Sequence, residues 1–178
     1  MKFADNKNLY IRRALFVLLI VVTAVFQHTN GAIPGFFSAK AFLLIPLTVC
    51  IAMQEKSMGG LSFGLLAGVL WDFATVRGDG FYSVVLALAG FVAGVSVAYL
   101  VRNNIFAALL LSLGACTFVT TAYWFVFIFL RSYEGAWSML FSFYLPSGLY
   151  SLAFTAVYYY LVRAIAKLTT DKRQQKKY

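Results

Sequence analysis

Few side chains in this sequence could make or break bonds. His28 is the only histidine, and no cysteine or carboxylate lies at helical spacing from it. A metal site needs three or four ligands. Cys50 and Cys116 each lie inside an apolar run, where a thiol behaves as a small hydrophobic group. We therefore predict no metal site, no cofactor and no disulfide framework.

The distribution of acidic residues argues against catalysis and pumping. All 6 acidic residues lie near the ends of apolar segments, whereas a proton or ion pump needs acids near the middle of the membrane. No acid–base or nucleophile–base pair is visible, and no glycine-rich loop is followed by Lys-Ser or Lys-Thr. The sequence therefore predicts a protein without catalytic residues.

A stripe of glycines that ends in an acid is the most informative local pattern. Gly60, Gly64 and Gly68 recur every four residues, and Asp72 follows four residues later. On a helix these positions share one slowly drifting face. The missing side chains form a groove that lets another helix backbone approach closely, which is a main source of helix association in lipid.

The next apolar segment carries a matching pattern. Gly90 and Gly94 have the same small-residue spacing. We predict that the two helices pack face to face through their glycines, or that one of them binds a helix of a partner protein. The simpler interpretation is that the glycines serve internal packing alone, because such motifs are common in membrane bundles.

Asp72 is the single residue for which the sequence gives the most specific expectation. A carboxylate at the end of an apolar helix is costly unless it reaches water, an opposite charge or helix-end donors. We expect either a fixed anchor for the loop that follows, paired with Arg77, or an exposed carboxylate in the headgroup region. Asp79 and Gly80 are the further candidate contact residues in that loop.

Composition places these residues in a membrane. Hydrophobic residues make up 62% of the 178 positions, charged residues only 12%, and the mean hydropathy is +0.81. A soluble domain carries roughly a quarter charged residues, and a chain this poor in charge would leave most of its surface apolar. We predict an all-α integral membrane protein in which residues 1–178 form a single transmembrane domain.

The apolar segments predict a compact bundle of about six transmembrane helices. Cut at their polar residues, they are 11–27, 36–53, 59–74, 81–101, 105–130 and 145–165. The second contains Pro46, which we expect to bend it. The third rises only about 24 Å and would cross a locally thin bilayer, so that five spans is the alternative.

Charge sets the expected orientation. Twelve of the 15 lysines and arginines fall on one side of this topology, and only Lys40, Arg77 and Arg131 fall on the other. The positive-inside rule then places both chain ends in the cytoplasm, as a short N-terminus (1–10) and a basic tail (166–178). A cleaved signal peptide over the first apolar segment is the less favoured alternative, because Thr29-Asn-Gly-Ala is a poor cleavage context.

The net charge of +9 does not indicate nucleic-acid binding. The positive residues lie at segment ends and in the tail rather than along a continuous surface. We expect the tail to face anionic lipid. Its basic residues are Lys172, Arg173, Lys176 and Lys177.

Three stretches together carry a family resemblance. They are Phe42-Leu-Leu-Ile-Pro-Leu-Thr-Val-Cys-Ile-Ala-Met, then Gly59-Gly-Leu-Ser-Phe-Gly-Leu-Leu-Ala-Gly-Val-Leu-Trp-Asp72, then Gly80 with an apolar helix that closes at Arg102-Asn-Asn104. Over residues 41–104, about a third of its length, the chain resembles the rod shape-determining protein MreD family. The glycine stripe and Asp72 match the family pattern, and the resemblance assigns no separate role to each of them.

The resemblance implies a non-enzymatic, multi-pass component of the bacterial cytoplasmic membrane that serves cell elongation and peptidoglycan synthesis. Members of the family lie beside MreC and are linked with the MreB filament and with the pair formed by RodA and a class B penicillin-binding protein. The family is also thought to be similar in fold to the substrate-binding subunits of energy-coupling-factor vitamin transporters.

Two functions follow as hypotheses. The leading one is a membrane scaffold that binds MreC through helix faces and outer loops. The alternative is the substrate-binding subunit of a vitamin transporter, which would need a mostly apolar pocket near the outer surface. Candidate residues for that pocket are Trp71, Asp72, Tyr82, Trp124, Glu134 and Trp137.

Overall fold

The computed structural model describes residues 2–29, 41–75, 79–100, 103–129 and 145–169, and every regular element in these ranges is helical. The elements are α1 (Lys2–His28), α2 (Leu44–Ala74), α3 (Phe81–Tyr99), α4 (Ile105–Trp124) with a π-helical turn (Phe125–Phe129), and α5 (Leu145–Thr169). Five helices are long and apolar enough to cross a membrane. The chain is therefore a multi-pass membrane protein.

The outer surface of the bundle is apolar, as lipid requires. Large hydrophobic side chains stand exposed on several helices, among them Leu18, Val84 and Phe106, which is 81% exposed. In water such a surface would drive aggregation. In a bilayer this apolar surface contacts the lipid chains. The helices are therefore apolar all round rather than along one stripe.

The longest element, α2, is folded back on itself at Lys56. This residue has φ 65° and ψ −166°, so the helix is interrupted there. The rings of Phe42, just before α2, and Trp71, near its end, lie 5.6 Å apart. A straight helix would hold these residues about 44 Å apart. We therefore describe α2 as a hairpin with a first arm (44–55) and a second arm (57–74).

The hairpin changes how the second and third predicted segments are joined. We expected 36–53 and 59–74 as separate segments, but a single non-helical residue, Lys56, connects the two arms. The predicted bend at Pro46 is wrong. Pro46 is the third residue of α2, in the first turn, where its missing N–H would have had no partner within the helix.

Two ends of the bundle can be defined by their acidic residues. At the Asp72 end, the ring of His28 packs edge-on against Trp71 at 6.3 Å. At the Glu55 end, Arg12 of α1 forms an ion pair with Glu55. Helix α1 therefore runs from the Glu55 end to the Asp72 end, and the first arm of α2 runs back.

The remaining helices continue this alternation. Helix α4 begins at the Glu55 end, where the Asn103 amide donates to the Met53 carbonyl at 3.4 Å, and it reaches the Asp72 end, where Tyr123 stacks near Tyr82. Helix α5 returns to the Glu55 end, because the Tyr159 hydroxyl lies 3.4 Å from the Asn103 carbonyl. The start of α1 and the end of α5 thus lie at the same end of the bundle.

Several helix bounds differ from the predicted segments. Helix α1 begins at Lys2 rather than near residue 11, so the predicted free N-terminus (1–10) is largely helical. Helix α3 ends at Tyr99, and α5 continues to Thr169. Apolar composition locates the part of a helix in lipid, and polar residues extend the same helix beyond it.

The first arm of α2 forms the centre of the core. Every residue from Leu44 to Met53 is buried. This arm contacts the second arm at Gly60, α3 at Gly90 and α5 at Thr155. Thr48 lies within this stretch, and its hydroxyl donates to the Leu44 carbonyl at 2.7 Å. This buried arm lies directly behind the interface described next.

Candidate functional site

The two glycine series lie in one interface between the second arm of α2 and α3. A Cβ atom added to Gly60 would collide with the Gly90 carbonyl oxygen, and one added to Gly90 would collide with the Gly60 carbonyl. A Cβ on Gly64 would meet the Leu86 carbonyl and would lie 3.1 Å from the Ala87 Cα. The helices are in backbone contact only because these side chains are absent.

The contact extends over the full length of the glycine series. Gly68 lies against the backbone of Tyr82 and Ser83, and Gly94 lies against Lys56, whose carbonyl carbon would be 2.6 Å from an added Cβ. The hairpin turn is thereby fixed against the far end of α3. A partner helix could use the Gly60 face only by displacing α3.

Asp72 closes this interface by capping α3. Its Oδ1 accepts from the Tyr82 backbone N–H at 3.1 Å, and its Oδ2 accepts from the Ser83 N–H at 2.8 Å. The Ser83 hydroxyl also donates to Oδ2 at 2.5 Å. The first N–H groups of a helix have no partner within it, so a carboxylate there satisfies donors and balances the helix dipole.

This arrangement decides between the two expectations for Asp72. The side chain is buried, with the residue only 7% exposed, so the expectation of an exposed headgroup carboxylate is wrong. The residue before α3, Gly80, has φ 70° and provides no side-chain cap, which leaves that role to Asp72. Arg77, its expected partner, lies outside the described residues.

A cluster of aromatic rings surrounds the capped end of α3. Tyr82 stacks on Trp71, with ring centroids 4.3 Å apart and planes within 5°, and its other neighbour Tyr123 stacks at 5.6 Å. Phe81 packs edge-on against Tyr123 and Phe127 at 5.7 and 5.3 Å. These rings join the second arm of α2, α3 and α4 at the Asp72 end.

A cavity of about 190 Å³ opens beside this cluster; we call it the Asp72-end cavity. It is lined by Asp72, Thr75, Asp79, Phe81, Tyr82, Tyr123 and Phe127. The Thr75 hydroxyl donates to the Asp72 backbone carbonyl at 3.0 Å. The lining therefore combines two acidic residues and a threonine with four aromatic residues.

The structure unites only some of the residues predicted for a pocket. Asp72 and Tyr82 line the Asp72-end cavity, and Trp71 stacks on Tyr82 behind it. Trp124 is buried and does not line this cavity. Glu134 and Trp137 lie outside the described residues. Sequence reasoning missed Tyr123 and Phe127, because nothing in their spacing distinguishes them from lipid-facing aromatics.

A second cavity, of about 380 Å³, lies between α3 and α4 on the side of the bundle; we call it the α3–α4 groove. Its floor consists of small residues, and a Cβ added to Gly114 would meet nothing within 4 Å. Flanking side chains such as Val92 and Leu110 are more than half exposed. The lining residues are Leu88, Ala89, Val92, Ala93, Leu110, Leu111, Gly114, Ala115 and Phe118.

One motif of catalytic type occurs within the second arm of α2. Gly60-Leu-Ser62-Phe-Gly64 has the Gly-x-Ser-x-Gly spacing of a hydrolase nucleophile. That chemistry needs a sharp strand-to-helix turn and a nearby base. Ser62 instead lies within a helix, where its hydroxyl donates to the Met58 carbonyl at 3.0 Å. The only histidine, His28, lies against Trp71 at the opposite end of the bundle, so it cannot serve Ser62 as a base.

The Glu55 end holds an ionic cluster that sequence reasoning missed. The Glu55 carboxylate, only 3% exposed, lies 2.6 Å from Arg12 Nη2 and 3.6 Å from Arg13 Nε. It ties α1 to the turn of the α2 hairpin. The sequence does show adjacent arginines, Arg12 and Arg13, and a lone acid, Glu55, at the end of another segment. Their pairing could not be predicted, because it depends on how the helices pack.

Two further observations concern metal ligands and the basic tail. Among the described residues no three histidine, cysteine or acidic side chains are grouped as a metal site would require. The four basic residues predicted to face lipid in the tail, Lys172, Arg173, Lys176 and Lys177, lie outside the described residues. Arg163 and Lys167 at the end of α5 are described, and Arg163 donates to the Tyr159 hydroxyl at 3.0 Å.

Comparison with known proteins does not add an assignment. No protein-family model, no curated protein and no solved structure matches the chain.

Proposed function

We propose that this protein is a non-enzymatic scaffold of the bacterial cell-elongation machinery, similar to MreD, that binds an MreC-like membrane-anchored partner. The observation that carries this proposal is the α3–α4 groove, an apolar surface with a small-residue floor that no described element covers. The groove stands beside a rigid block formed by the residues that carry the resemblance.

The rigid block supports a scaffolding role. Residues 41–104 include the α2 hairpin and α3, which make the most extensive helix contact in the described residues. Backbone contacts at Gly60 and Gly64, together with the Asp72 cap, fix α3 against the second arm. A surface presented by such a block keeps its shape when a partner binds, which lowers the entropic cost of association.

The proposed topology has six membrane crossings with both ends in the cytoplasm. Each arm of the α2 hairpin passes between the two ends of the bundle, and α1 begins at the end where α5 finishes. The excess of lysine and arginine on that side supports a cytoplasmic location. The Asp72 end would then face the outside of the cytoplasmic membrane.

The α3–α4 groove is the proposed site for the partner's membrane-spanning helix. In lipid, helices associate by close packing over small residues rather than by the hydrophobic effect. Ala89, Ala93 and Ala115 form such a floor, and Gly114 leaves room for an inserted side chain. The occupant we propose is the single transmembrane helix of the MreC-like partner.

Site-specific photocrosslinking in cells tests this assignment. A photoreactive residue at Gly114 should crosslink to the MreC-like partner, whereas the same residue at Ala153, exposed on α5, should not. The groove-filling variant Gly114→Leu should lower copurification of the partner, and Ala153→Leu should leave it unchanged. Equal crosslinking at both positions would contradict the assignment of the groove.

Cell shape tests the function itself. Deletion of the gene in a rod-shaped host should give rounded cells, and expression of the wild-type chain should restore rods. Unchanged rods in a host without a second copy would contradict the proposal. If the Gly114→Leu variant restored rod shape fully in the deletion strain, the scaffold function would stand and only the groove would be overturned as the partner site.

A vitamin transporter subunit is the second candidate, and the Asp72-end cavity is the observation that favours it. The cavity combines aromatic walls with two carboxylates, but its volume of about 190 Å³ is below the roughly 300–1,000 Å³ usual for small-molecule pockets. Copurification of a vitamin in mild detergent would favour this candidate over the scaffold.

A further inference from the structure

We propose that Arg163 and the start of α4 bind the phosphate of an anionic phospholipid at the Glu55 end of the bundle. The site joins α4 and α5 and is separate from the α3–α4 groove and from the basic tail. It requires only that these two helices span a membrane, so it does not depend on the scaffold function.

The position of the Arg163 guanidinium is the first observation. Its Nη1 donates to the Tyr159 hydroxyl at 3.0 Å, and its Cζ lies 5.7 Å from the centroid of the Tyr159 ring. The Tyr159 hydroxyl in turn donates to the Asn103 carbonyl at 3.4 Å, just before α4 begins at Ile105. The guanidinium therefore reaches back along α5, toward the first turn of α4.

The first turn of α4 is the second observation. A helix begins with N–H groups that have no partner within it, and these groups carry a partial positive charge. The side chain of Asn104, the residue before α4, does not cap them. In α3 the Asp72 carboxylate fills this role. The start of α4 can therefore donate hydrogen bonds to an anion from outside the chain.

Charge balance is the third observation. Among the described side chains, the ion pairs are those of Glu55 with Arg12 and Arg13, so no acidic group there neutralises Arg163. Lys167 follows Arg163 by one turn and is also exposed. These cations and the positive end of α4 repel one another. An anion bound between α4 and α5 would replace that repulsion with attraction.

The chemistry of these donors favours a phosphate. A guanidinium offers parallel N–H groups that match two oxygens of one phosphate, and the bond to Tyr159 fixes the direction in which they point. Large apolar side chains next to the cations indicate that the phosphate belongs to a lipid. Phe106 in the first turn of α4 and Leu168 beside Lys167 are both exposed, where acyl chains can contact them.

Native mass spectrometry of the full chain in detergent tests the proposal. Dioctanoyl phosphatidylglycerol should bind saturably and about tenfold more tightly than dioctanoyl phosphatidylcholine. The two lipids share their chains and their phosphate, but the ammonium group of choline is repelled by the neighbouring cations. Equal affinity for the two lipids would overturn an anionic-lipid site.

A matched pair of arginine variants locates the site. Arg163→Gln should weaken binding of phosphatidylglycerol about tenfold. Arg13→Gln removes the same group from the same end of the bundle, but Arg13 already faces Glu55, so this variant should change the affinity less than about twofold. The basic tail is the same in both variants, so its contribution cancels. Equal effects of the two substitutions would overturn the assignment to Arg163.

Tyr159→Phe tests whether the guanidinium has to be positioned. The substitution keeps the ring and every charge but removes the hydroxyl that holds Arg163, and it should weaken phosphatidylglycerol binding about threefold or more. The unfolding temperature of the variant in the same detergent checks that its fold is retained. A folded Tyr159→Phe protein with wild-type affinity would overturn the proposed geometry.

Inorganic phosphate identifies the source of the bound group. It has no acyl chains, so it should not displace dioctanoyl phosphatidylglycerol from the wild-type chain. Displacement that is lost in Arg163→Gln would show a site for free phosphate and would overturn the lipid as its ligand. Retention of the lipid in excess phosphate would support a lipid headgroup.

Discussion

Asp72 near the end of α2 accepts two hydrogen bonds from Ser83, one from its backbone N–H at 2.8 Å and one from its hydroxyl at 2.5 Å. The two residues are separated by the turn at Gly80, so the cap joins two helices rather than stabilising its own. It also lies at the last contact of the glycine interface, where Gly68 meets Ser83. Loss of the cap should therefore loosen both α3 and the interface.

Substitution of Asp72 should destabilise the protein in a graded way. Asp72→Ala leaves buried N–H donors without a partner and should cost about 2 kcal/mol or more. Asp72→Asn retains one acceptor and should cost less, and Ser83→Ala, which removes one bond, about 1 kcal/mol. The unfolding temperatures of the three variants in one detergent give the order of destabilisation.

The control for this series is Asp79→Asn. Asp79 is exposed and makes no part of the α3 cap, so its variant should unfold at nearly the wild-type temperature. If Asp72→Ala and Asp79→Asn shifted the unfolding temperature equally, the effect would come from charge at this end and not from the cap.

Two glycines in helices should respond oppositely to alanine. In Gly64→Ala the new Cβ would collide with the Leu86 carbonyl and force the helices apart, which should be strongly destabilising. In Gly114→Ala the new Cβ meets nothing within 4 Å, so the variant should gain up to about 1 kcal/mol from helix propensity. Gly64→Leu should in addition weaken assembly or partner pull-down.

Chemical or thermal unfolding of the two alanine variants in the same detergent gives the comparison. A Gly64→Ala protein as stable as Gly114→Ala would show that α3 and the second arm of α2 do not approach as closely as described. Because both changes add one methyl group to a helix, differences in side-chain size cancel.

The sequence indicated the apolar segments and the glycine face because both depend on local spacing. Every four residues Gly60, Gly64 and Gly68 return to one face, and composition alone predicts helices in lipid. The fold at Lys56 could not be predicted this way. A lysine with positive φ has no local signature, since surrounding contacts, here with Gly94, hold it in that conformation.

The polar contacts were harder to predict, because they too depend on contacts between elements rather than on local spacing. The expected pairing of Asp72 with Arg77 stays a prediction. Helix-end donors were also among the partners expected for Asp72, but the sequence did not indicate that they would be the N–H groups of Tyr82 and Ser83 at the start of α3. That choice depends on the path of the chain between the two helices. The Glu55 cluster needs α1 and the hairpin turn to be adjacent, which spacing within either element does not reveal.

The contributions of Glu55 and Arg12 to the stability of the protein should depend on each other. Glu55→Gln leaves Arg12 without its charge partner in a largely buried position and should destabilise the protein by about 2 kcal/mol. Arg12→Met alone leaves Glu55 with the more distant and half-exposed Arg13. The double variant should recover part of the loss, since neither charge is then buried unpaired.

A double-mutant cycle of thermal stability measures this coupling. The cycle uses wild type, both single variants and the double variant in one detergent. Arg13→Met provides the control, because its side chain is 52% exposed and its nitrogen is 3.6 Å away, so its effect should be small. Strictly additive single effects would show that Arg12 and Glu55 act independently.

Thiol labelling decides between six crossings and five. In a background with Cys50 and Cys116 replaced by alanine, Lys56→Cys and Asp79→Cys place single thiols at the hairpin turn and at the start of α3. With six crossings the two positions lie on opposite sides of the membrane, because the second arm of α2 separates them. An impermeant maleimide should then label Asp79→Cys in intact cells, and Lys56→Cys only after permeabilisation. If α2 crossed the membrane once, as an unbroken span, Lys56→Cys would lie within the bilayer and resist labelling under both conditions.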